Sequence, residues 1–186
     1  EWGAQKVYTD LAQMAADEEI DAVYIASPNR LHYEQSKLFL QHGKHVICEK
    51  PITVEPEELQ ELQELAQQKN LIYIEALIGV YLPQMKVLQG AVERLGPVHL
   101  ARFDFSQYSS KYPAYLRGEL PNIFNPQMAT GGWMDLGIYC LYPAIMLFGV
   151  PDHVHAHARF LSTGADGSGC VTLQYPDKTV VLTYSK

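Results

Sequence analysis

The sequence predicts an α/β chain: part of an open, parallel sheet followed by an α+β domain with an open, mainly antiparallel sheet. Three observations predict it. Short apolar, β-rich runs at residues 20–26, 45–48 and 71–74 alternate with helical patterns over short connections, which builds right-handed βαβ units. After Glu75 that rhythm breaks, and a polar, aromatic stretch from Ser106 to Thr130 carries Pro113, Pro121 and Pro126, too long for a simple connection and suited to a loop over a site. The end of the chain alternates near 154–160, 169–175 and 179–184, as antiparallel strands do. The domain boundary is therefore expected between residues 1–75 and 76–186.

Taken in order, Leu11, Met14 and Ala15 at helical spacing predict a helix from Thr9-Asp10 to about Glu19, with Asp10 as its cap. The strand that follows ends at Ser27-Pro28-Asn29, and Asn29 is read as the N-cap of a helix over 31–42 that closes on Gly43. His45-Val46-Ile47-Cys48 is a buried strand that ends abruptly in Glu49-Lys50-Pro51. Pro56 at a first helical position, with acids in the first turn, opens the helix carrying Leu59, Leu62, Leu65 and Ala66. In the second part an amphipathic helix over 83–95 ends at Gly96-Pro97, a half-buried strand spans 98–105, and Gly131-Gly132 opens an apolar helix to about Leu147. The glycine-rich segment 164–169 and Pro176-Asp177-Lys178 are read as turns between strands.

Composition narrows the function. With 186 residues, 47% hydrophobic and 19% charged, the chain can bury a real core. A net charge of −7 without a basic cluster argues against a nucleic-acid partner or an acidic membrane surface, both of which select grouped Lys and Arg. The three cysteines, Cys48, Cys140 and Cys170, are odd in number and widely spaced, so neither a disulfide framework nor a zinc site is indicated, and a cytoplasmic location fits. No apolar run reaches the length of a membrane span.

The chemistry gathers where a cofactor cleft would lie. Open α/β sheets bind ligands at the carboxyl ends of their strands, and two successive strands end in Ser27-Pro28-Asn29 and Glu49-Lys50-Pro51. Pro51 fixes its own φ and pushes Lys50 toward an extended backbone, which holds the two charged side chains in a defined direction. Asp135 and Tyr139, four apart in a helical pattern, are neighbours on one face. Each of these has a bland reading too, a strand ending in solvated charges or a commonplace helical pair, and context decides. An ordinary phenol, with a pKa of about 10, is a poor base at neutral pH, and a lysine ammonium beside it favours the phenolate.

The run 21–29 with His32, then Gly43-Lys44-His45-Val46-Ile47-Cys48-Glu49-Lys50-Pro51, resembles the glucose-fructose oxidoreductase, inositol dehydrogenase and rhizopine-catabolism (Gfo/Idh/MocA) family of nicotinamide-dependent oxidoreductases. Glu75-Ala76, Tyr81-Leu82-Pro83, Gly96-Pro97-Val98 and Gly131-Gly132-x-x-Asp135-x-Gly137-x-Tyr139 continue the likeness in order. The resemblance implies a Rossmann-type dinucleotide domain followed by a substrate domain whose open sheet forms a dimer interface. It implies NAD or NADP as cofactor, with Ser27, Pro28, Asn29, His32, Glu49, Lys50 and Pro51 as cofactor-binding residues and Lys50, Tyr139 and Asp135 as the catalytic set. The partners it implies are a small-molecule sugar, polyol or diol and a second copy of the chain, as a homodimer or dimer of dimers. Tyrosine at 139, where inositol-dehydrogenase-like members carry histidine, points to the glucose-fructose oxidoreductase and dihydrodiol dehydrogenase side of the family.

Two departures accompany the likeness. Val80 stands where many relatives carry an arginine, and the family's glycine-rich pyrophosphate loop has no counterpart here, so the chain is expected to be an internal part of a longer enzyme. The alternating His153, His155 and His157 share a strand face, but without an accompanying carboxylate or cysteine they fit a solvated or interface face better than a metal site. Tyr108, Tyr112 and Tyr115 suit either stacking on a substrate or packing on the sheet. The rival to an enzyme is a non-catalytic sensor of a dinucleotide or sugar, which would have little need of Lys50, Asp135 and Tyr139 together.

Overall fold

The computed structural model describes residues 3–186, which form two units dividing after Ala76. The first contains α1 (Leu11–Ala16), β1 (Ala22–Ile25), α2 (His32–Gln41), β2 (His45–Cys48), α3 (Pro56–Gln68) and β3 (Tyr73–Glu75). Its sheet runs β1-β2-β3, all parallel, with Ile25 opposite Cys48 and Cys48 opposite Glu75, so the three carboxyl ends lie level. Val23, Ile25, Val46 and Cys48 alternate onto a buried face and pack against Phe39, Leu40, Leu62 and Ala66 of α2 and α3. Val46, Leu40 and Leu62 are wholly buried, each burial stabilising by about 1.5–3 kcal/mol, so this face is core and the chemistry is left to the strand ends.

Local signals explain most of these boundaries. The Asp10 carboxylate accepts the Ala12 N–H at 2.8 Å and caps α1. That helix stops at Ala16 rather than near Glu19, because the Asp17 carboxylate accepts the Glu19 N–H at 2.9 Å in a local turn and is also held by Lys6 and Tyr8. At the end of α2, Gly43 takes φ +78°, with Gly43 N–H on the Leu40 carbonyl at 3.0 Å and Lys44 N–H on that of Phe39 at 2.9 Å, the paired bonds of a Schellman stop. Pro56 opens α3, and the Glu58 carboxylate reaches back to the Val54 and Glu55 N–H groups at 3.2 and 3.3 Å. Asn29 does not cap α2 as expected. It begins a 3₁₀ turn, Asn29–Leu31, closed by Leu31 N–H on the Pro28 carbonyl at 2.8 Å, and the helix proper starts at His32.

The second unit contains α4 (Ile78–Tyr81), α5 (Pro83–Leu95), β4 (Leu100–Ser106), α6 (Tyr112–Leu116), a π-helical segment (Trp133–Gly137), α7 (Ile138–Phe148), β5 (His153–Phe160), β6 (Asp166–Gln174) and β7 (Thr179–Ser185). The sheet order is β4-β7-β6-β5, antiparallel except for the parallel pair β4 and β7. Val171, Leu173, Val180 and Leu182 turn one face onto Cys140 and Ala144 of α7, with Ala101, Phe103 and Phe105 of β4 alongside. The alternate positions, among them Arg102, Asp104, Thr172, Thr183, His155 and His157, share the other face.

Two expectations for this unit are corrected. Residues 164–169 are not one turn: the Leu161 N–H bonds the Ala165 carbonyl at 2.8 Å, and β6 already starts at Asp166. Gly167 and Gly169 are strand residues, where a Cβ would meet Leu161 at 2.9 Å in the first case and overlap the Tyr184 phenol in the second. The helix expected to run on from Gly131-Gly132 begins as a π segment, whose bonds reach i→i+5, before settling into α7. The long connection folds on itself, with Tyr112 and Tyr115 packing at 5.8 and 5.5 Å on the fully buried Phe124 and Tyr115 hydrogen-bonded to Ser162, so these two rings are committed to packing.

Candidate active site

The level strand ends of the first unit bring Ser27-Pro28-Asn29, Glu49-Lys50-Pro51 and Glu75 to one edge. What fixes the edge is His32. Its ring is fully buried, with Nδ1 2.7 Å from the Pro51 carbonyl oxygen and Nε2 2.9 Å from that of Ser27, so one imidazole ties the ends of β1 and β2 together. Ring nitrogens spent on backbone and closed to solvent do not address a cofactor, and His32 is reassigned from contact residue to staple. It starts α2 on the turn that Leu31 closes, which is why the helix begins there and not at Asn29.

The Lys50–Pro51 peptide, which is cis, is held from a second side, because the Glu75 carboxylate accepts the Ile52 N–H at 2.8 Å. Glu49 accepts from the Tyr24 hydroxyl and, at 3.2 Å, from the Lys50 N–H, so the residue before the lysine is also fixed. Ser27 Oγ donates to Gln35 at 2.7 Å. Beneath them Cys48 is wholly buried, and that burial, ahead of the nearby Glu75 and Glu49 charges, pushes its thiol up to about 12, far from the reactive range of a catalytic thiolate. Ser27, Pro28, Asn29, Glu49 and Lys50 remain partly exposed above this frame.

In the second unit Asp135 lies in the π segment and Tyr139 in the first turn of α7. The Tyr139 ring meets Phe105 edge-on, centroids 5.3 Å apart. A small cavity of about 100 Å³ is lined by Leu77, Val80, Met85, Tyr139, Tyr142 and Pro143, so Val80 gives hydrocarbon to the surroundings of Tyr139. The Asp135 carboxylate is ion-paired with Lys186, whose side chain is only 6% exposed and therefore cannot turn away to solvent. Lys50 belongs to the first unit, and Asp135 and Tyr139 to the second. His153, His155 and His157 lie along β5, exposed throughout, and among the described residues no three His, Cys, Asp or Glu side chains are placed to hold a metal ion. No described helix is long and apolar enough to cross a membrane.

Sequence reasoning missed Glu75 and Lys186 as site residues. For Glu75 the signal was present, a carboxylate at the carboxyl end of the third parallel strand. For Lys186 there was none, since its pairing with Asp135 is purely tertiary.

Comparison with known proteins agrees with this geometry. Residues 1–77 match the model of an oxidoreductase family with an NAD-binding Rossmann fold, and residues 91–186 match the GFO/IDH/MocA C-terminal domain. The chain is 43% identical over 183 residues to scyllo-inositol 2-dehydrogenase (NADP(+)) of Bacillus subtilis, covering 98% of this chain and 56% of the relative. It is 31% identical over 175 residues to trans-1,2-dihydrobenzene-1,2-diol dehydrogenase of Mus musculus, covering 92% and 50%. A crystal structure of an NAD binding oxidoreductase from Klebsiella pneumoniae superimposes with a TM-score of 0.80 at 25% identity, covering 98% of this chain and 52% of that one. The chain spans about half the length of the curated relatives it matches.

Proposed function

The chain belongs to the Gfo/Idh/MocA family of oxidoreductases, and from that premise we propose that the full-length protein transfers a hydride between NAD or NADP and a carbinol or carbonyl carbon of a sugar, polyol or cyclic diol. The observation that carries the reading is the stapled edge, where two level strand ends present Ser27, Pro28, Asn29, Glu49 and Lys50, with the expected cofactor residue Pro51 itself buried, on a backbone that His32 and Glu75 hold still. The activities for which the Bacillus subtilis and Mus musculus relatives are named, an inositol and a dihydrodiol dehydrogenase, support the substrate class.

The edge fits the nicotinamide-ribose end of a dinucleotide: it is polar, partly exposed and preorganised, which is what closely placed hydroxyl recognition requires. A bound nicotinamide ring would supply the hydride acceptor or donor. The chain's own residues then divide the proton chemistry. Lys50 and Tyr139 serve the substrate hydroxyl as its proton carriers, and Asp135 orients the helix end from which Tyr139 projects. We read the protein as cytoplasmic, which suits its three free cysteines, and as a homodimer or dimer of dimers formed on the face of the four-stranded sheet that carries Arg102, His155 and His157.

The test is a scan of the full-length protein against sugars, polyols and cyclic diols, followed by nicotinamide absorbance. Turnover of at least one member is expected. Cofactor binding with silence across the panel would instead favour a sensor of a dinucleotide or sugar.

A further inference from the structure

Asp166 was read from sequence as a turn residue, and nothing in the proposed chemistry uses it. In the structure it is the first residue of β6, and its carboxylate accepts the Trp133 N–H at 2.7 Å. Trp133 opens the π segment that leads to Asp135 and Tyr139, so a strand residue caps this helix where its own flanking residue is Gly132, which has no side chain to do so. The buried Tyr184 phenol lies against the same carboxylate, and burial first, Asp166 second, push its proton affinity upward.

The glycines around Asp166 show how closely the parts are fitted. A Cβ at Gly131, whose φ is +147°, would overlap the Asp166 carboxylate, and one at Gly132 would stand 2.7 Å from the Tyr184 ring. A Cβ at Gly137 would overlap the Trp133 indole, which itself packs 5.6 Å from the Tyr184 ring. The run Gly131-Gly132-Trp133 … Gly137 is thus the imprint of Asp166, Tyr184 and an indole. On the neighbouring strand end, Lys186 donates its N–H to the Gly167 carbonyl at 2.9 Å and its ammonium to Asp135. Two adjacent strand ends therefore hold the π segment at two points two residues apart, Trp133 and Asp135.

We propose that Asp166 is a positioning residue for the reaction: by capping the π segment at Trp133 it sets where Asp135 and, through Gly137, Tyr139 stand. The inference rests on the reading of Tyr139 as the group that addresses the substrate hydroxyl. Displacement of a reacting group by about 1 Å can cost on the order of 10²-fold in rate, whereas loss of a cap with no positioning role costs stability alone.

The experiment uses the full-length protein. Asp166→Ala should lower kcat by roughly 10- to 100-fold with cofactor affinity unchanged, and Asp166→Asn, which keeps an oxygen for the Trp133 N–H, should restore most of it. Gly131→Ala leaves Asp166 in place but intrudes on its carboxylate, and should reproduce the Asp166→Ala loss. Amide exchange across 133–139 reads the same displacement without substrate, and should quicken in Asp166→Ala and Gly131→Ala but not in Asp166→Asn. Wild-type kcat in Asp166→Ala, or no rescue by Asp166→Asn, overturns the proposal. Tyr139→Phe assayed in parallel separates the two failures: if it turns over normally the assignment of Tyr139 falls, and if it is inactive while Asp166→Ala is normal only the positioning role falls.

Discussion

Lys186 and Asp135 form an ion pair in which the lysine side chain is 6% and the aspartate side chain 28% exposed, so neither charge is fully returned to water if the other is removed. Removing the lysine takes away its attraction while the carboxylate's desolvation remains. Lys186→Met in the full-length protein should therefore destabilise by roughly 1–3 kcal/mol in denaturant titration. Replacing both, as Lys186→Met with Asp135→Asn, should recover part of that loss. A single mutant indistinguishable from wild type would reduce the pair to an ordinary surface contact.

The second expectation concerns His32. Its ring lies against two backbone carbonyls from a fully buried position, and a ring N–H donates to at least one of them, so His32→Leu leaves that acceptor without its donor. An orphaned acceptor costs about 1–3 kcal/mol, and the ends of β1 and β2 lose their tie. NAD(P)H affinity, measured by fluorescence titration, should weaken at least several-fold while the substrate KM moves little. Unchanged cofactor affinity in a folded variant would show that the edge needs no staple.

Much of this frame was legible in the sequence because it is local. Asp10, Gly43 and Pro56 act within one turn of their helices, and the apolar runs ending in Ser27-Pro28-Asn29 and Glu49-Lys50-Pro51 carry their own strand pattern. What stayed hidden is what distant residues impose. Asn29 looked like a cap until the contacts of His32 with Ser27 and Pro51 set the helix start, and 131–147 looked like one helix until Asp166 and Lys186 held its first turns. The glycines at 164–169 suggested a turn, whereas Gly167 and Gly169 are clearances in a strand. Periodicity reports which face an element buries, and it carries no information about which distant carboxylate meets its end.

The third expectation is a dependence on pH at the alkaline end. Burial pushes Cys48 up to about 12 and Cys140 up to about 11 from an ordinary thiol value of 9.0. A folded pKa above the unfolded one means that the native state holds the proton more tightly. The contribution is fully present below about pH 9 and is lost as pH rises toward 11–12. Stability measured by denaturant titration should fall across that window, and Cys48→Ala should flatten the slope whatever its fixed cost at neutral pH. In the native protein at neutral pH, a thiol reagent should label the partly exposed Cys170 and spare the buried Cys48 and Cys140. Rapid labelling of Cys48 would contradict the burial of β2.

The last expectation tests the proton chemistry itself. Lys50 is fixed at its strand end by Glu49, by His32 through Pro51 and by Glu75 through Ile52, and Tyr139 by its packing on Phe105 in the first turn of α7, so each is held by its own unit. If both act on one substrate hydroxyl, Lys50→Met and Tyr139→Phe should each cut kcat by roughly the 10²–10⁴-fold expected of acid–base catalysis. Cofactor affinity should hold in Tyr139→Phe, because the phenol addresses substrate, and should weaken in Lys50→Met, because the lysine also lies on the cofactor edge. The double mutant distinguishes a joint role from two separate ones. Residues that work as a unit fail together, so the double should be hardly slower than the worse single, whereas independent contributions would multiply. The measurement is kcat and kcat/KM for the three variants at several pH values with a substrate found in the panel. A Tyr139→Phe enzyme with wild-type turnover would take Tyr139 out of the mechanism and leave the proton to Lys50 or to a residue elsewhere in the full-length protein.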